Sequence, residues 1–109
     1  MEVLGASGLP DGALDASAAF FAHVLPQARA ACADGDVCIV FDPADHTHKA
    51  WRLAAVQSLA REAAPGRVNA VASGDDAAIA AALDYLARAP GVTGQLFALD
   101  GQGAGNPAG

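Results

Sequence analysis

The residues best suited to chemistry gather between positions 5 and 49. Gly5-Ala6-Ser7-Gly8, with Gly12 further on, supplies the small residues that let backbone N–H groups cradle a phosphate at a helix start. Asp42, at the end of the next apolar run, would then be the acid that holds a ribose hydroxyl. Pro10-Asp11 interrupts that turn, and at most four residues precede it as a strand. An ordinary loop is therefore the simpler reading. His46-x-His48 beside Asp42 and Asp45 offers metal-ligand residue types. Two histidines at i, i+2 at a helix start rarely share one face, and no distant ligand set accompanies them. They read as solvated helix-start residues, with Asp45 or Thr47 as the cap. His23 has no serine or cysteine suitably paired with it, so a nucleophilic triad lacks support. Cys32 and Cys38 read as reduced, buried thiols of a cytoplasmic protein, not as a disulfide or redox pair.

The elements that must position these residues follow from apolar spacing. Asp15 to Ala33 predicts a first helix, with Phe21, Val24 and Leu25, Ala28, and Ala31 with Cys32 recurring at helical spacing. Asp15 is its expected N-cap, Asp34-Gly35 its stop, and Pro26 an expected kink. Val37 to Phe41 is a continuous apolar run, as in a parallel strand covered on both faces. A second helix is predicted from His46 or Thr47 to Ala64. Its stripes are Leu53, Val56 and Ala60 on one side and Trp51, Ala55 and Leu59 on another. A helix apolar on two sides packs on two sides. Arg67 to Ala72 is the next strand. Ser73-Gly74-Asp75-Asp76 opens a third helix through Ala89, with Ser73 and Asp76 spaced as a capping box. Ile79, Ala82, Leu83 and Leu86 form its apolar stripe. Gln95 to Leu99 is the last strand, and Met1 to Leu4 is a candidate for one more. The alternation predicts an α/β, three-layer Rossmann-like domain with a mostly parallel sheet of three to four strands and three main helices.

Composition sets the bounds. The chain has 109 residues, enough for one domain. Hydrophobic residues make up 53% and charged residues 17%, which excludes disorder of the whole chain. Alanine fills 29 positions and aromatics only 6%, so each helix contact buries little area and a partner is expected. The net charge of −6 argues against nucleic acid and anionic membrane surfaces as partners. No apolar run approaches the ~20 residues of a membrane-spanning helix, and the N-terminus lacks the pattern of a secretory signal.

Three stretches carry a resemblance. Lys49-Ala50 leads into Gln57-Ser58-Leu59-Ala60-Arg61-Glu62-Ala63-Ala64-Pro65. Then come Gly66-Arg67-Val68-Asn69-Ala70-Val71-Ala72 and Gly91-Val92-Thr93-Gly94-Gln95-Leu96-Phe97-Ala98-Leu99-Asp100-Gly101. In this order they resemble the C-terminal half of the short-chain dehydrogenase/reductase family. Phe21 to Ala31 followed by Val37 to Phe41 is similar to that family's helix and strand before the active-site serine. The resemblance implies a Tyr-x-x-x-Lys site with a serine and an asparagine, in which tyrosine protonates the carbonyl and lysine lowers its pKa and holds the ribose. Lys49 fits the lysine as a remnant, but Asp45 stands at the tyrosine position. Asp42-Pro43-Ala44 stands where the serine should be, and no asparagine precedes Asn69. Asn69 itself reads as a structural hydrogen-bonding residue. The substrate segment after Ala72 and the nucleotide-binding half are missing from the pattern.

The resemblance therefore implies a single truncated Rossmann-like domain over residues 1–100 with a flexible Gly-rich tail over 101–109. The expected function is that of a non-catalytic subunit, without cofactor or metal, that oligomerises through retained interface helices. Phe21, Val24, Leu25, Ala28, Trp51, Ala55 and Leu59 are the expected interface residues. The expected partner is a second copy or, preferably, a full-length NAD(P)-dependent reductase. The alternative is a small ketoreductase-like oxidoreductase that binds a nicotinamide cofactor through Gly5, Gly8, Gly12 and Lys49. A third reading is a binding module for an acyl or polyketide intermediate.

Overall fold

The computed structural model describes residues 1–99, so the tail expected over 101–109 lies outside the described residues. Four strands form one parallel sheet in the order β1-β2-β3-β4. They are β1 (Glu2–Ala6), β2 (Val37–Phe41), β3 (Val68–Ala72) and β4 (Leu96–Ala98). The registers are Leu4 to Ile39, Ile39 to Ala70, and Ala70 to Leu96. The candidate first strand thus forms, and it runs two residues further than its apolar pattern suggested. Gly5 and Ala6 belong to the sheet, not to a loop.

The first helical segment spans α1 (Ala13–Ala19), a π turn (Phe20–Val24) and α2 (Leu25–Cys32). Its N-cap is Gly12, and Asp15 sits in the first turn, where its charge favours the helix dipole without capping it. The expected kink at Pro26 takes the form of the π turn. Proline has no N–H to give and its ring crowds the preceding turn. The wider turn accommodates this, with the Leu25 N–H bonded to the Phe20 carbonyl five residues back. The same turn explains the buried stripe Ala16, Phe20, Val24 and Ala28. A constant spacing of four drifts by about 40° per step on a 3.6-residue helix, and the wider π turn takes up the drift.

A 3-10 turn at His46–His48 leads into α3 (Lys49–Ala63), and α4 (Asp76–Ala87) follows β3. Asp75, not Ser73, caps α4 by accepting from the Ala77 N–H, while the Ser73 hydroxyl accepts from the Asp75 N–H. The extended residue immediately before the helix is the one whose side chain reaches the free amides.

Strand alternation divides the core. Val37, Ile39, Phe41, Val68 and Ala70 pack with Phe20, Val24, Ala28, Ala55, Val56 and Leu59 of the first two helical segments. Cys38 and Val71 face the other way, against Leu86, Ile79 and Leu83 of α4. Two helical layers thus enclose the sheet. The strand order runs one way across the sheet and α4 lies on the face opposite the others. The β3–α4–β4 unit therefore has the opposite hand to the first two crossovers.

An aromatic cluster joins helix, strand and helix. Phe20 lies 5.6 Å from Phe41 and 5.5 Å from Trp51, ring centroid to centroid. Phe20 and Phe41 are fully buried, each contributing about 1.5–3 kcal/mol from removal of its surface from water. At the opposite end of the sheet Arg67 closes the core. Its Nε donates to Asp36 at 2.9 Å and its Nη1 to the Leu86 and Ala89 carbonyls at the C-terminus of α4. No helix among the described residues is long and apolar enough to cross a membrane.

Candidate functional site

Ligands of open α/β sheets bind beyond the carboxyl ends of the strands. Here a cavity of about 280 Å³ opens at the ends of β1 and β2. Its lining includes Ala6, Leu9, Asp11, Asp42, Asp45, His48 and Arg52. Three of the chemistry-bearing residues singled out in the sequence, Asp42, Asp45 and His48, converge on it, but in other roles.

The loop after β1 turns at Gly8, whose φ of +75° is the left-handed region that glycine enters without strain. The Gly8 N–H donates to the Asp42 carboxylate at 3.0 Å. The amide that a phosphate would need thus already holds an anion from the same chain. Gly5 lies in β1 opposite Val40, and Gly12 caps α1 with no side-chain bond. These glycines do not form one cradle. Lys49 starts α3 and is exposed.

Asp45 is the helix cap. Its carboxylate accepts from the Thr47 N–H at 2.9 Å and from the Thr47 hydroxyl. These bonds hold its pKa below the ordinary aspartate range, so at neutral pH it has no proton to give. Tyr85, half exposed on α4, packs against Phe97 at 6.3 Å, on the other face of the sheet.

The two histidines part company. His46 is exposed, whereas His48 is buried. His48 Nε2 lies 2.7 Å from the Asp11 carbonyl, and the Trp51 indole N–H donates to His48 Nδ1 at 3.1 Å. Only the neutral ring with its proton on Nε2 satisfies both bonds. With both nitrogens engaged, His48 has none left for a metal shared with His46. No cluster of three metal-ligating side chains occurs among the described residues.

Arg52 was not legible as a site residue. Only 7% of it is exposed. Nη1 donates to the Asp42 carbonyl at 2.9 Å, and the guanidinium lies 4.5 Å from the Phe41 ring centre. Its Nε is buried without an acceptor. Burial pulls its pKa down, with Asp42 opposing that shift. The signal lies in α3, whose buried stripe Ala60 and Val56 extends back by four to Arg52, one residue before the Leu53 that apolarity alone selects.

Asn69 bridges β3 to the loop before β4, its amide donating to the Val92 carbonyl and its oxygen accepting from the Gln95 N–H. Of the expected interface residues, Val24, Ala28, Ala55 and Leu59 are buried in the domain's own core. They face the sheet because both helices lie flat on it. Phe21 is 48% exposed, and Leu25 and Trp51 are half-buried, so these three are what remains for a second chain.

A dinucleotide's pyrophosphate does not fit these residues. Gly8 is occupied by Asp42, and Asp11, Asp42 and Asp45 all line the cavity, which repels a diphosphate. No curated protein and no solved structure matches the chain. The family model for the short chain dehydrogenase-like protein matches residues 4–99, a span that takes in all four parallel strands except the start of β1. On that match, supported by the sheet and helix order, the chain belongs to the short-chain dehydrogenase-like family.

Proposed function

We propose that this protein acts by association and not by turnover, as a non-catalytic relative of the short-chain dehydrogenases. It docks on a second copy of itself or, preferably, on a full-length NAD(P)-dependent reductase. The observation that carries this reading is the uncovered apolar face of the first helical segment. Leu14 is 84% exposed and Phe21 48%, and their spacing of seven sets them two turns apart on one side. Leu25 and Trp51 are half-buried. Large apolar side chains exposed on one side of a helix suit contact with a second chain. Support comes also from the cavity, where the groups that could bind phosphate or donate a proton are bonded within the chain. The free thiols Cys32 and Cys38 suit a reducing, cytoplasmic setting.

Light scattering coupled to gel filtration tests the reading, on the chain alone and mixed with a full-length NAD(P)-dependent reductase. The expected result is a complex lost in Leu14→Asp/Phe21→Asp. Calorimetry with NAD(H) and NADP(H) runs in parallel. A chain that stays monomeric in both settings and binds a nicotinamide cofactor overturns it in favour of a small oxidoreductase.

A further inference from the structure

Natural edge strands are blunted by shortness, by lysine or proline, or by a bulge. At one edge of this sheet β4 is blunted by its length of three residues. At the other edge β1 is not blunted. It is five residues long, keeps regular register throughout and contains neither lysine nor proline. The Glu2 N–H donates to the Asp36 carbonyl, so Glu2, Leu4 and Ala6 turn their backbone groups toward β2. By alternation Val3 and Gly5 turn theirs outward. Those N–H and carbonyl groups have no backbone partner among the described residues. Both residues are exposed, Val3 at 47%.

The pattern of the edge selects what completes it. Val3 and Gly5 stand symmetrically about Leu4. An antiparallel copy centred on Leu4 sets each Val3 opposite the other chain's Gly5, and each such pair exchanges both of its N–H···O bonds. Glu2 then faces Ala6 of the second copy, so the like charges stay apart. The two-fold axis of this pair is perpendicular to the sheet and sets the two first helical segments antiparallel, side by side on one face. The flanks of those segments fit that approach. α2 touches β1 and β2, whereas α3 touches β3 and β4. Arg29, one residue after buried Ala28, pairs with Glu62 of α3 and so marks the flank toward α3. The residues one before the buried stripe, Asp15, Ala19, His23 and Gln27, line the flank toward the free edge, with Ala31 a turn beyond Gln27. Only Asp15 among them is acidic, in a chain with 12 acidic residues, and the two copies of Asp15 fall at opposite ends of the helix pair. Ala19 and Ala31 are small enough for helix axes to approach to about 8–10 Å.

We propose that two copies of this chain join through their β1 edges, antiparallel and centred on Leu4, into one continuous sheet. The contact is isologous and closes at two chains. Phe21, one residue after Phe20, lies on the flank toward α3, so this contact does not rest on docking through Leu14 and Phe21.

Amide hydrogen exchange and light scattering test this on the full chain between ~5 and ~500 μM. A dimer is expected, with exchange at the Val3 and Gly5 amides slowed about tenfold or more as concentration rises. The Leu4 and Ala6 amides, bonded to β2, are expected to be protected at both ends of the range. Val3→Pro removes an outward N–H that the fold does not use, and Val3→Lys places a charge on the edge. Both are expected to be monomers with an unchanged far-ultraviolet spectrum. Leu14→Asp/Phe21→Asp, which is expected to release a reductase, should leave this dimer intact. A monomer at ~500 μM, or a dimer whose Val3 and Gly5 amides exchange freely, overturns the proposal. A dimer lost in Leu14→Asp/Phe21→Asp but kept in Val3→Pro overturns it in favour of the helix face. Assemblies larger than a dimer overturn it in favour of head-to-tail joining of β1 to β4. The exchange measurement uses the unmodified chain, so it decides even where a variant fails to fold.

Discussion

Replacing Arg52 by Met tests whether its buried charge stabilises the fold or burdens it. Methionine keeps an unbranched stem against Phe41 and Trp51 but removes the charge. The losses are the Nη1 bond to the Asp42 carbonyl and the stacking on Phe41 at 4.5 Å. A hydrogen bond from a charged group contributes about 1.5–3 kcal/mol. The low end applies here, since Asp42 is exposed and its carbonyl can turn to water. The cation–π contact adds about 0.5–2 kcal/mol. Against these stands the desolvation of an ion that lacks a paired charge, several kcal/mol, a cost that includes the Nε left without an acceptor. That cost outweighs the two gains, so Arg52→Met is expected to stabilise the domain by about 1 kcal/mol. That corresponds to a rise of roughly 4–8 °C for a chain of this size. Urea unfolding by far-ultraviolet circular dichroism, checked against the fluorescence of Trp51, the only tryptophan, measures it. Destabilisation by about 2 kcal/mol or more would refute the reasoning, because the guanidinium would then be a structural tie and its missing acceptor unimportant.

Phe20→Ala is expected to cost about 3–5 kcal/mol in urea unfolding, since the ring is fully buried and touches Phe21, Phe41 and Trp51. Arg67→Gln is expected to cost about 2–3 kcal/mol by releasing the Leu86 and Ala89 carbonyls. It should also flatten the acid limb of stability. The Arg67 backbone N–H, and then its guanidinium, hold the Asp36 pKa below its ordinary value. The contribution of Asp36 is complete above the unfolded-state range near 4 and drains away as pH falls through the lowered value. The variant keeps the backbone bond, so thermal melts between pH 2 and 5 should show this slope reduced but not abolished. Burial pushes the Cys38 thiol up to about 11, so iodoacetamide at pH 8 should label half-buried Cys32 first, with Cys38 reacting only on unfolding.

What the sequence made legible was whatever depends on local apolar period. β2 is bounded as its run of Val37 to Phe41 predicts, because a strand covered on both faces needs that run and nothing else. Caps were read to within three residues, Asp15 standing for Gly12 and Ser73 for Asp75. Asp45 was legible because one residue supplies both the side chain and the extended backbone. Ser73 was misread because Asp75, nearer the helix, competes for the same amides. The π turn was legible only as trouble at Pro26. Its form depends on keeping Phe20 and Val24 on the sheet, which is a tertiary requirement. The cavity was half legible. Gly8, Asp42, Asp45 and His48 were all singled out, but their partners lie up to 37 residues apart, and no spacing rule reaches that far. Arg52 was invisible because a charged residue between Trp51 and Leu53 reads as a solvated position.

Asp42 explains why the same residues read differently in sequence and in structure. The sequence offers two halves of a nucleotide site, a glycine turn with free amides and an acid at the end of the next strand. In the fold those halves lie 3.0 Å apart and satisfy one another. A phosphate that claimed the Gly8 amide would leave the Asp42 carboxylate unpaired beside it, two like charges in a partly closed cavity. The exchange is unfavourable at both ends. The Asp42 carbonyl fixes Arg52, so the residue that closes the glycine turn to phosphate also orients the one cation in the cavity. The positive centre at this end of the sheet has thereby moved from the glycine turn to a side chain of α3.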